Sequence, residues 1–215
     1  MFSSIKPFGN SALLIEWEQS IKIETLNEIT QLNEIIRKAE LHGVIETIPA
    51  YASLTVFFQP EKTTFETLKD IISLRKDSDF EITTESSKLW EIPVKYGNTF
   101  KNDLSLYLEI VGISMTELVH LHSERVYDIY FMGFLPGFMY LGGLDEKLSV
   151  PRKQTPDLKI PAGSVAIGGR QTGIYPQESP GGWYVIGNTD FVCVDYTKNP
   201  ITPLKAGDKV RFVPI

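Results

Sequence analysis

The sequence predicts an α+β protein: a small N-terminal α/β domain, residues 1–85, followed by a β-barrel or β-sandwich, residues 86–215. Residues 1–85 alternate strand-like and helix-like segments. Nine of the 13 prolines and 12 of the 16 glycines follow residue 125, which is typical of short strands joined by turns. Apolar residues make up 42% of the 215, so each part can bury a core.

The N-terminal part is predicted to contain strands at 11–17, 44–49 and 53–58 and two helices. The first helix has apolar residues three or four apart, with Ser20 as its cap and Gly43 as its stop: Ile23, Leu26, Ile29, Leu32, Ile36 and Ala39. A capping box, Thr63 with Glu66, opens the second helix. This order, with a further strand allowed, predicts a split-βαβ sandwich. Residues 76–87 are polar and predict a linker.

The C-terminal part begins with a predicted strand at 90–96 and two short helices. One helix covers 103–111 and ends at Gly112, and the other is capped by Ser114 and reaches His122. Short β segments then follow at 126–131, 165–168, 183–186, 191–195 and 209–213. The long stretch 133–161 shows no regular pattern, which is unusual inside a compact domain unless it has a function.

Charge and cysteine content exclude several classes of protein. The net charge of −6 argues against nucleic-acid binding, which depends on a basic face. A single cysteine, Cys193, excludes an intramolecular disulfide, and we expect it to be a buried, inert thiol. We predict no metal site, because His120 and His122 are two apart and face different sides of a helix. Without a signal sequence or an apolar run of about 18 residues, we expect a cytoplasmic protein and no membrane contact.

Candidate functional residues lie in the loops of the C-terminal part. Phe134 and Phe138 are set between glycines and prolines, and they form either a packed aromatic loop or the apolar wall of a pocket. Arg152, next to proline, is either a solvated surface charge or a preoriented fork for a carboxylate or phosphate. Gly163 and Ser164 form either a turn before a strand or an anion site of amides and a hydroxyl.

Further candidates lie in two glycine-rich segments, where a ligand can approach the backbone closely: Gln171, Thr172, Tyr175, Ser179, Gly181, Gly182 and Trp183. His122 is either a general acid or base or a helix-end histidine that the backbone satisfies. No Walker loop, dinucleotide fingerprint or nucleophile elbow is present.

Taken together, these segments resemble one family, known as the B component of 5-oxoprolinase, KipI or allophanate hydrolase subunit 1. The resemblance covers essentially the whole chain and rests on ordered motifs: FGNSALL (8–14), GFLPGFMYL (133–141), PR (151–152), PAGSV (161–165), QTGIYP (171–176), SPGGW (179–183) and GDKVRF (207–212). Asp157 and Asn188 depart from it, because the family usually has arginine at both positions.

The resemblance implies a cyclophilin-like barrel and a hydrolase that converts 5-oxo-L-proline to L-glutamate with ATP, bound as Mg-ATP by the whole complex. It implies two partners, the cyclophilin-like C component, which completes a composite site, and the A component of 5-oxoprolinase. Without these partners the chain is expected to have little or no activity. For that site we expect His122, Arg152 and Tyr175 as catalytic residues, with the other candidates binding substrate or nucleotide.

Two other functions remain open on the same resemblance. A relative with the same domains inhibits a sensor histidine kinase, and in that role the chain would bind and block a kinase through exposed apolar surface. Another relative is part of a biotin-dependent urea carboxylase, which implies a carboxyltransferase role. Prolyl isomerase activity would rest on fold analogy alone.

Overall fold

A computed structural model describes residues 2–19, 22–75, 87–97 and 103–215, with Arg75 described by its backbone only. The chain divides into two compact units, Met1–Ser86 and Ser87–Ile215. The predicted helix cap at Ser20 and nearly all of the predicted linker at 76–87 lie outside the described residues.

The N-terminal unit is a four-stranded antiparallel sheet with two helices. Its elements are β1 (Ser4–Pro7), β2 (Ala12–Glu16), α1 (Ile23–Lys38), β3 (Val44–Pro49), β4 (Ser53–Phe58) and α2 (Phe65–Arg75). The strand order is β1-β2-β4-β3. Alternate residues of the central strands, such as Leu13 and Val56, meet the apolar faces of both helices in one core, as the two periodicities require.

The N-terminus of α2 corrects one sequence prediction. Thr64, not Thr63, caps the helix: its Oγ1 accepts a hydrogen bond of 3.2 Å from the Thr67 backbone N–H. Because α2 begins at Phe65, Thr64 stands at the position whose hydroxyl reaches the third amide of the first turn. The capping box predicted for Thr63 and Glu66 is therefore wrong by one residue.

The C-terminal unit is built around a closed seven-stranded barrel, which fits the cyclophilin-like expectation and settles the choice between barrel and sandwich. Its elements are β5 (Leu89–Tyr96), α3 (Asp103–Val111), α4 (Met115–Ser123), β6 (Val126–Met132), β7 (Met139–Gly142), a 3-10 turn (Glu146–Leu148), β8 (Asp157–Ile160), β9 (Ser164–Gly168), β10 (Gln171–Ile174), β11 (Ser179–Gly181), β12 (Tyr184–Asn188) and β13 (Lys209–Pro214).

The barrel strands follow the order β10-β7-β6-β13-β5-β12-β9, and β8 and β11 form a separate two-stranded sheet. The pair β5 and β13 is parallel, and the other described barrel pairs are antiparallel. Side chains alternate across the barrel wall: Val165 and Ile167 belong to the inner core, whereas Ala166 between them belongs to a second cluster on the opposite face.

The segment 191–195, predicted as a strand, has no strand ladder. Its alternation is nevertheless real, because Phe191 and Cys193 pack on the barrel core while Val192 is exposed. The Phe191 N–H donates a hydrogen bond to the Thr189 hydroxyl oxygen, and the Asp195 N–H donates to Ile201 O. The apolar pattern therefore predicts packing here but not pairing.

Among the described residues, no single helix combines the length and apolarity needed to cross a membrane. The pair α3 and α4 meets those criteria only when its two members are counted together across an 86° bend.

Candidate functional site

Five aromatic side chains form a cluster on the opposite face of the barrel wall from the core, and we call it the aromatic face: Phe134, Phe138, Tyr140, Tyr175 and Trp183. Phe138 lies at its centre, with edge-to-face contacts to the other four at ring-centroid distances of 4.8–5.5 Å. Such pairs favour a fixed arrangement of rings beyond simple burial.

Glycines in the strands beneath the rings explain why the aromatic face packs so closely. A Cβ added to Gly168 would lie 2.4 Å from Trp183 Cδ1, and one added to Gly181 would lie 2.2 Å from the Tyr175 hydroxyl. At Gly173 a Cβ would lie 3.3 Å from Phe138. The rings rest directly on bare backbone, a use of glycine that the turn-based sequence argument did not anticipate.

Phe134 has an unusual backbone conformation. Its φ of 69° lies in the left-handed region, which costs energy for a side chain with a Cβ. The residue is 58% exposed, while its ring contacts Phe138 and Tyr175. A strained, exposed phenylalanine at the rim of an aromatic cluster is well placed to contact a ligand.

Arg152 lies beside the aromatic face, with its guanidinium carbon 5.7 Å from the centre of the Trp183 ring. The other arginine side chains that the structure describes, Arg37, Arg125, Arg170 and Arg211, each pair with a carboxylate. Arg152 has no carboxylate partner within the described part of the chain and is exposed. A guanidinium held over an aromatic ring with its donors free is suited to bind an anion.

Tyr175 is buried on the aromatic face, and burial raises the pKa of its hydroxyl to about 12, against a smaller lowering by the Trp183 backbone N–H. The phenol therefore keeps its proton at neutral pH. In this state Tyr175 can donate a hydrogen bond to a ligand, and it is unsuited to act as a base.

His122 and Thr172 lie in the barrel interior. The Tyr96 hydroxyl is 2.7 Å from His122 Nδ1, His122 Nε2 is 2.9 Å from Thr172 Oγ1, and Thr172 donates to Ala166 O at 3.0 Å. Burial lowers the pKa of His122 to about 3. The imidazole is thus neutral, with both nitrogens satisfied, and its ring stacks on Phe212.

Gly163 and Ser164 form a third group, at the start of β9. The Gly163 N–H donates to Tyr175 O at 2.7 Å and the Ser164 N–H to Pro161 O at 3.3 Å, so both amides are already engaged. Ser164 is buried, and a Cβ on Gly163 would lie 2.3 Å from Thr189 O. This turn does not fit a phosphate cradle, which needs free amides pointing outward.

The remaining candidates lie around the aromatic face. Gln171 pairs with Gly168 in the ladder, which puts its buried side chain on the same face as Trp183. Its Nε2 has no hydrogen-bond partner among the described residues. The Ser179 hydroxyl donates to Pro180 O at 3.2 Å, and Gly182 O accepts from the Lys153 backbone.

Sequence reasoning missed an ion cluster next to the aromatic face, formed by Lys153, Asp103 and Asp157. Asp157, where the family usually has arginine, therefore binds a lysine within this chain. No sequence signal joins Lys153 to Asp103, because 50 positions separate them. Tyr140 was also missed, although its spacing of two from Phe138 is a strand periodicity that could have identified it.

A separate depression of about 340 Å³ holds Asn188, the other departure from the family pattern. None of the candidate site residues lines it: its walls are Pro93, Lys95, Asn188, Thr189, Asp190, Phe191 and Ile215. Among the described residues, no group of three or more His, Cys, Asp or Glu side chains is arranged to hold a metal ion.

Comparison with solved structures supports this fold. The structure of TTHA0988 has a TM-score of 0.83 and 29% identity over 95% of this chain, which spans 40% of that longer chain. The uncharacterized protein PH0987 from Pyrococcus horikoshii is 40% identical, with 99% and 97% of the two chains covered and a TM-score of 0.56.

Comparison with known sequences defines the family. Residues 3–204 match the family described as carboxyltransferase domain, subdomain C and D. The B component of 5-oxoprolinase from Bacillus subtilis is 37% identical over 98% of this chain and 92% of its own length, and that of Escherichia coli O157:H7 is 38% identical over 96% and 93%. Urea amidolyase of Saccharomyces cerevisiae is more distant, at 22% identity over 13% of its length. Motifs, barrel and relatives agree that the chain belongs to the family of 5-oxoprolinase B components, also called the allophanate hydrolase subunit 1 family.

Proposed function

We propose that this chain is the B component of an ATP-dependent 5-oxoprolinase that converts 5-oxo-L-proline to L-glutamate. Its relatives of 36–38% identity carry the name of that component. The observation that carries the proposal is Arg152, which stands over Trp183 at the edge of the aromatic face without a carboxylate partner in the described part of the chain. A small ring that carries a carboxylate matches this combination of aromatic surface and free cation.

In this proposal the residues of the aromatic face bind and orient the substrate. The Arg152 guanidinium takes the substrate carboxylate in a bidentate pair. Exposed Phe134 contacts the ring, with buried Phe138 and Trp183 packed behind it, and the aromatic side chains exclude bulk water, which strengthens the polar contacts. Tyr175, which keeps its proton, donates a hydrogen bond to the lactam carbonyl oxygen.

His122 has a different role in this scheme from the catalytic one that its sequence position predicts. Its two nitrogens are satisfied by Tyr96 and Thr172 inside the barrel, on the other side of the wall from Arg152. We propose that His122 and Thr172 keep the wall rigid, and that the water-activating base lies on a partner polypeptide.

In this proposal ATP is bound by the complex, and the turn at Gly163 does not hold its phosphates, because the amides of that turn are engaged. When bound, ATP would supply the phosphoryl group that activates the lactam carbonyl. The chain then forms one part of a composite site that the C component closes, and the A component belongs to the same complex. Alone, the chain is inactive or weakly active. The TTHA0988 chain, of which this fold makes up 40%, supports the idea that this fold works together with additional polypeptide.

The test is an assay of ATP-dependent glutamate formation by the chain alone and by the complex co-expressed with the A and C components. We expect activity only from the complex. Arg152→Ala should raise KM for 5-oxoproline by about 10-fold to 100-fold, since a hydrogen bond to a charged group contributes about 1.5–3 kcal/mol. Arg170→Ala, an exposed arginine paired with Glu146, is the matched control. An inactive complex, or an unchanged KM in Arg152→Ala, would contradict the proposal.

A carboxyltransferase role is the second candidate, favoured by the description of the matching family. A complex with this role would transfer a carboxyl group from a carboxylated biotin carrier to its acceptor. Incubation of the same complex with a biotin carrier that already bears a labelled carboxyl group, and with urea as the acceptor, separates the two functions: labelled carboxylated urea, without glutamate formation from 5-oxo-L-proline, would favour this one.

We also propose that the N-terminal unit is a split-βαβ arrangement. Strands β2 and β3 both run antiparallel to β4, which lies between them, so the two strands joined by α1 are parallel but not adjacent.

A further inference from the structure

We propose that Lys153 is a positioning residue, which fixes both Arg152 and Trp183 and thereby sets the guanidinium over the ring. The inference rests on the proposed function in one respect: it takes the aromatic face with Arg152 as the place where an anionic substrate binds. It assigns to Lys153, Asp103 and Asp157 a task that the resemblance did not suggest.

Lys153, Asp103 and Asp157 form a buried ion cluster. Lys153 Nζ lies 2.5 Å from Asp103 Oδ2 and 2.6 Å from Asp157 Oδ2. The exposed fractions of these side chains are 10% for Lys153, 8% for Asp103 and 16% for Asp157. Water cannot readily replace partners this buried, so the lysine is held in one position.

This ion cluster holds the segment that contains Trp183 from both ends. On one side, the Lys153 backbone N–H donates to Gly182 O at 2.8 Å. On the other, the Val185 N–H donates to Asp103 Oδ2, the same oxygen that binds Lys153, at 3.0 Å. Trp183 lies between these two anchors, and the ammonium of Lys153 stands 5.2 Å from the ring centre of Tyr184.

Arg152 directly precedes Lys153 in the chain. Its backbone is therefore fixed by the same network as Trp183, although its side chain is exposed and has no carboxylate partner among the described residues. Asp103 is the first residue of α3, so the network also joins this helix to the loop. One buried cluster sets the distance between the two groups that would hold the substrate.

Stability alone explains the cluster poorly. Burying two carboxylates with one ammonium carries a large desolvation cost, and apolar side chains of similar volume often stabilise a fold as well or better. A charged network with directional hydrogen bonds does provide geometric precision, and a small misplacement of a binding group can lower the rate about 100-fold.

The experiment uses the full chain labelled with ¹⁵N. The chain has three tryptophans, so the indole N–H resonance of Trp183 can be assigned with Trp183→Phe. Arg152→Ala should shift this resonance, because it removes the cation from the ring. Lys153→Met combined with Asp103→Asn removes one charge of each sign and should shift it in the same direction. Asp157→Asn, which keeps the Lys153–Asp103 pair, is a milder variant in case the double variant does not fold.

The kinetic arm uses the complex with the A and C components and 5-oxo-L-proline. The Lys153 double variant should lower kcat/KM by about 10-fold to 100-fold, mostly through KM, as Arg152→Ala does. Adding Arg152→Ala to the double variant gives a triple variant, and its loss should be smaller than the product of the two separate losses, because Lys153 acts partly through Arg152. Lys159→Met, an exposed lysine of the same segment paired with Glu178, should change neither readout.

Two results would overturn the inference: a Trp183 resonance that moves in Arg152→Ala but not in the Lys153 variants, or losses that multiply in the triple variant. A wild-type complex that makes no glutamate would instead reject the proposed function, while the resonance arm would still decide whether Lys153 positions Arg152.

Discussion

At the scale of single residues, adjacent glycines have different tasks. Gly181 lies under the Tyr175 hydroxyl, where an added Cβ would be 2.2 Å from that oxygen and 2.8 Å from Ile160 Cδ1. Gly182 has no atom closer than 3.6 Å to its added Cβ. The sequence shows only a glycine pair after a proline, and it cannot show which of the two lies against a ring.

This difference predicts unequal effects of the same substitution. Gly181→Ala should lower the free energy of unfolding by about 1–3 kcal/mol, because buried Tyr175 must move to make room. Gly182→Ala should change it by less than about 0.5 kcal/mol. Urea unfolding of both variants measures the difference, and equal losses would show that Tyr175 does not rest on Gly181.

Lys153 shows why the candidate site could be predicted only in part. Arg152, Phe134, Phe138, Tyr175 and Trp183 stand in recognisable motifs, and the structure brings them together. Lys153 carries no such signal, because its partner Asp103 belongs to a helix 50 positions earlier in the chain. Contacts between distant segments depend on the closed barrel, and local spacing does not encode them.

At the scale of elements, α4 fixes itself to the barrel through its last turn. His122 binds Tyr96 of β5 and Thr172 of β10 and stacks on Phe212 of β13, while the Tyr127 hydroxyl donates to its carbonyl. A neutral imidazole is needed for this set of contacts, since a second N–H would point at the Tyr96 oxygen. The attachment of α4 is therefore sensitive to protonation.

We expect acid to weaken the fold through His122. In the native state its pKa is lowered to about 3, whereas an unfolded histidine has a pKa of about 6.5. Between these values unfolding takes up a proton, so this contribution to stability is complete above about pH 6.5 and is lost as the pH falls, by about 1.4 kcal/mol per pH unit.

The measurement is urea unfolding from pH 7 to pH 4. His122→Gln, which cannot titrate but retains a donor toward Thr172, should be less stable at pH 7 and show a flatter pH dependence. His120→Gln, on the exposed side of the same helix, should keep the wild-type slope. Identical slopes in wild type and His122→Gln would exclude His122 as the source.

Helices and strands were predictable where residues close together in the sequence determine where the element begins or ends. Ser114 caps α4 as predicted, its Oγ accepting from the Glu117 N–H at 3.1 Å. The strand predicted at 191–195 was wrong, because the alternation of apolar and polar residues indicates which side chains are buried and not whether the backbone pairs with another strand. The short strands β7, β10 and β11 were missed because their own glycines and prolines carry turn signals, and β8 was missed because it is a four-residue strand between Pro156 and Pro161. Only neighbouring strands hold these segments extended.

At the scale of the whole molecule, closure of the barrel depends on strands far apart in sequence. β13 lies between β6 and β5, and its parallel register with β5 pairs Lys209 with Leu89, 120 positions away. Inward-facing Val210 and Phe212 are fully buried in the barrel core. The composition break predicted a β-rich second half, but pairings at this distance lie beyond any local pattern.

Removal of β13 should therefore open the barrel. Deletion of residues 209–215 should abolish hydrogen-exchange protection in β5 and β6, while the N-terminal sheet, whose strands all lie within residues 4–58, keeps its protection. Deletion of Ile215 alone, which costs one backbone hydrogen bond to Val94, is the control. Retained protection in β5 after the larger deletion would contradict this account.

The position of β13 in the barrel also determines the order in which the two units can fold during synthesis on the ribosome. Every strand of the N-terminal sheet has been synthesised by residue 58, so that unit can fold early. The barrel must wait for its last strand, and until then the nascent chain presents β5 and β6 with open backbone edges that invite pairing with other chains. Chaperone demand during synthesis should accordingly fall on the second unit.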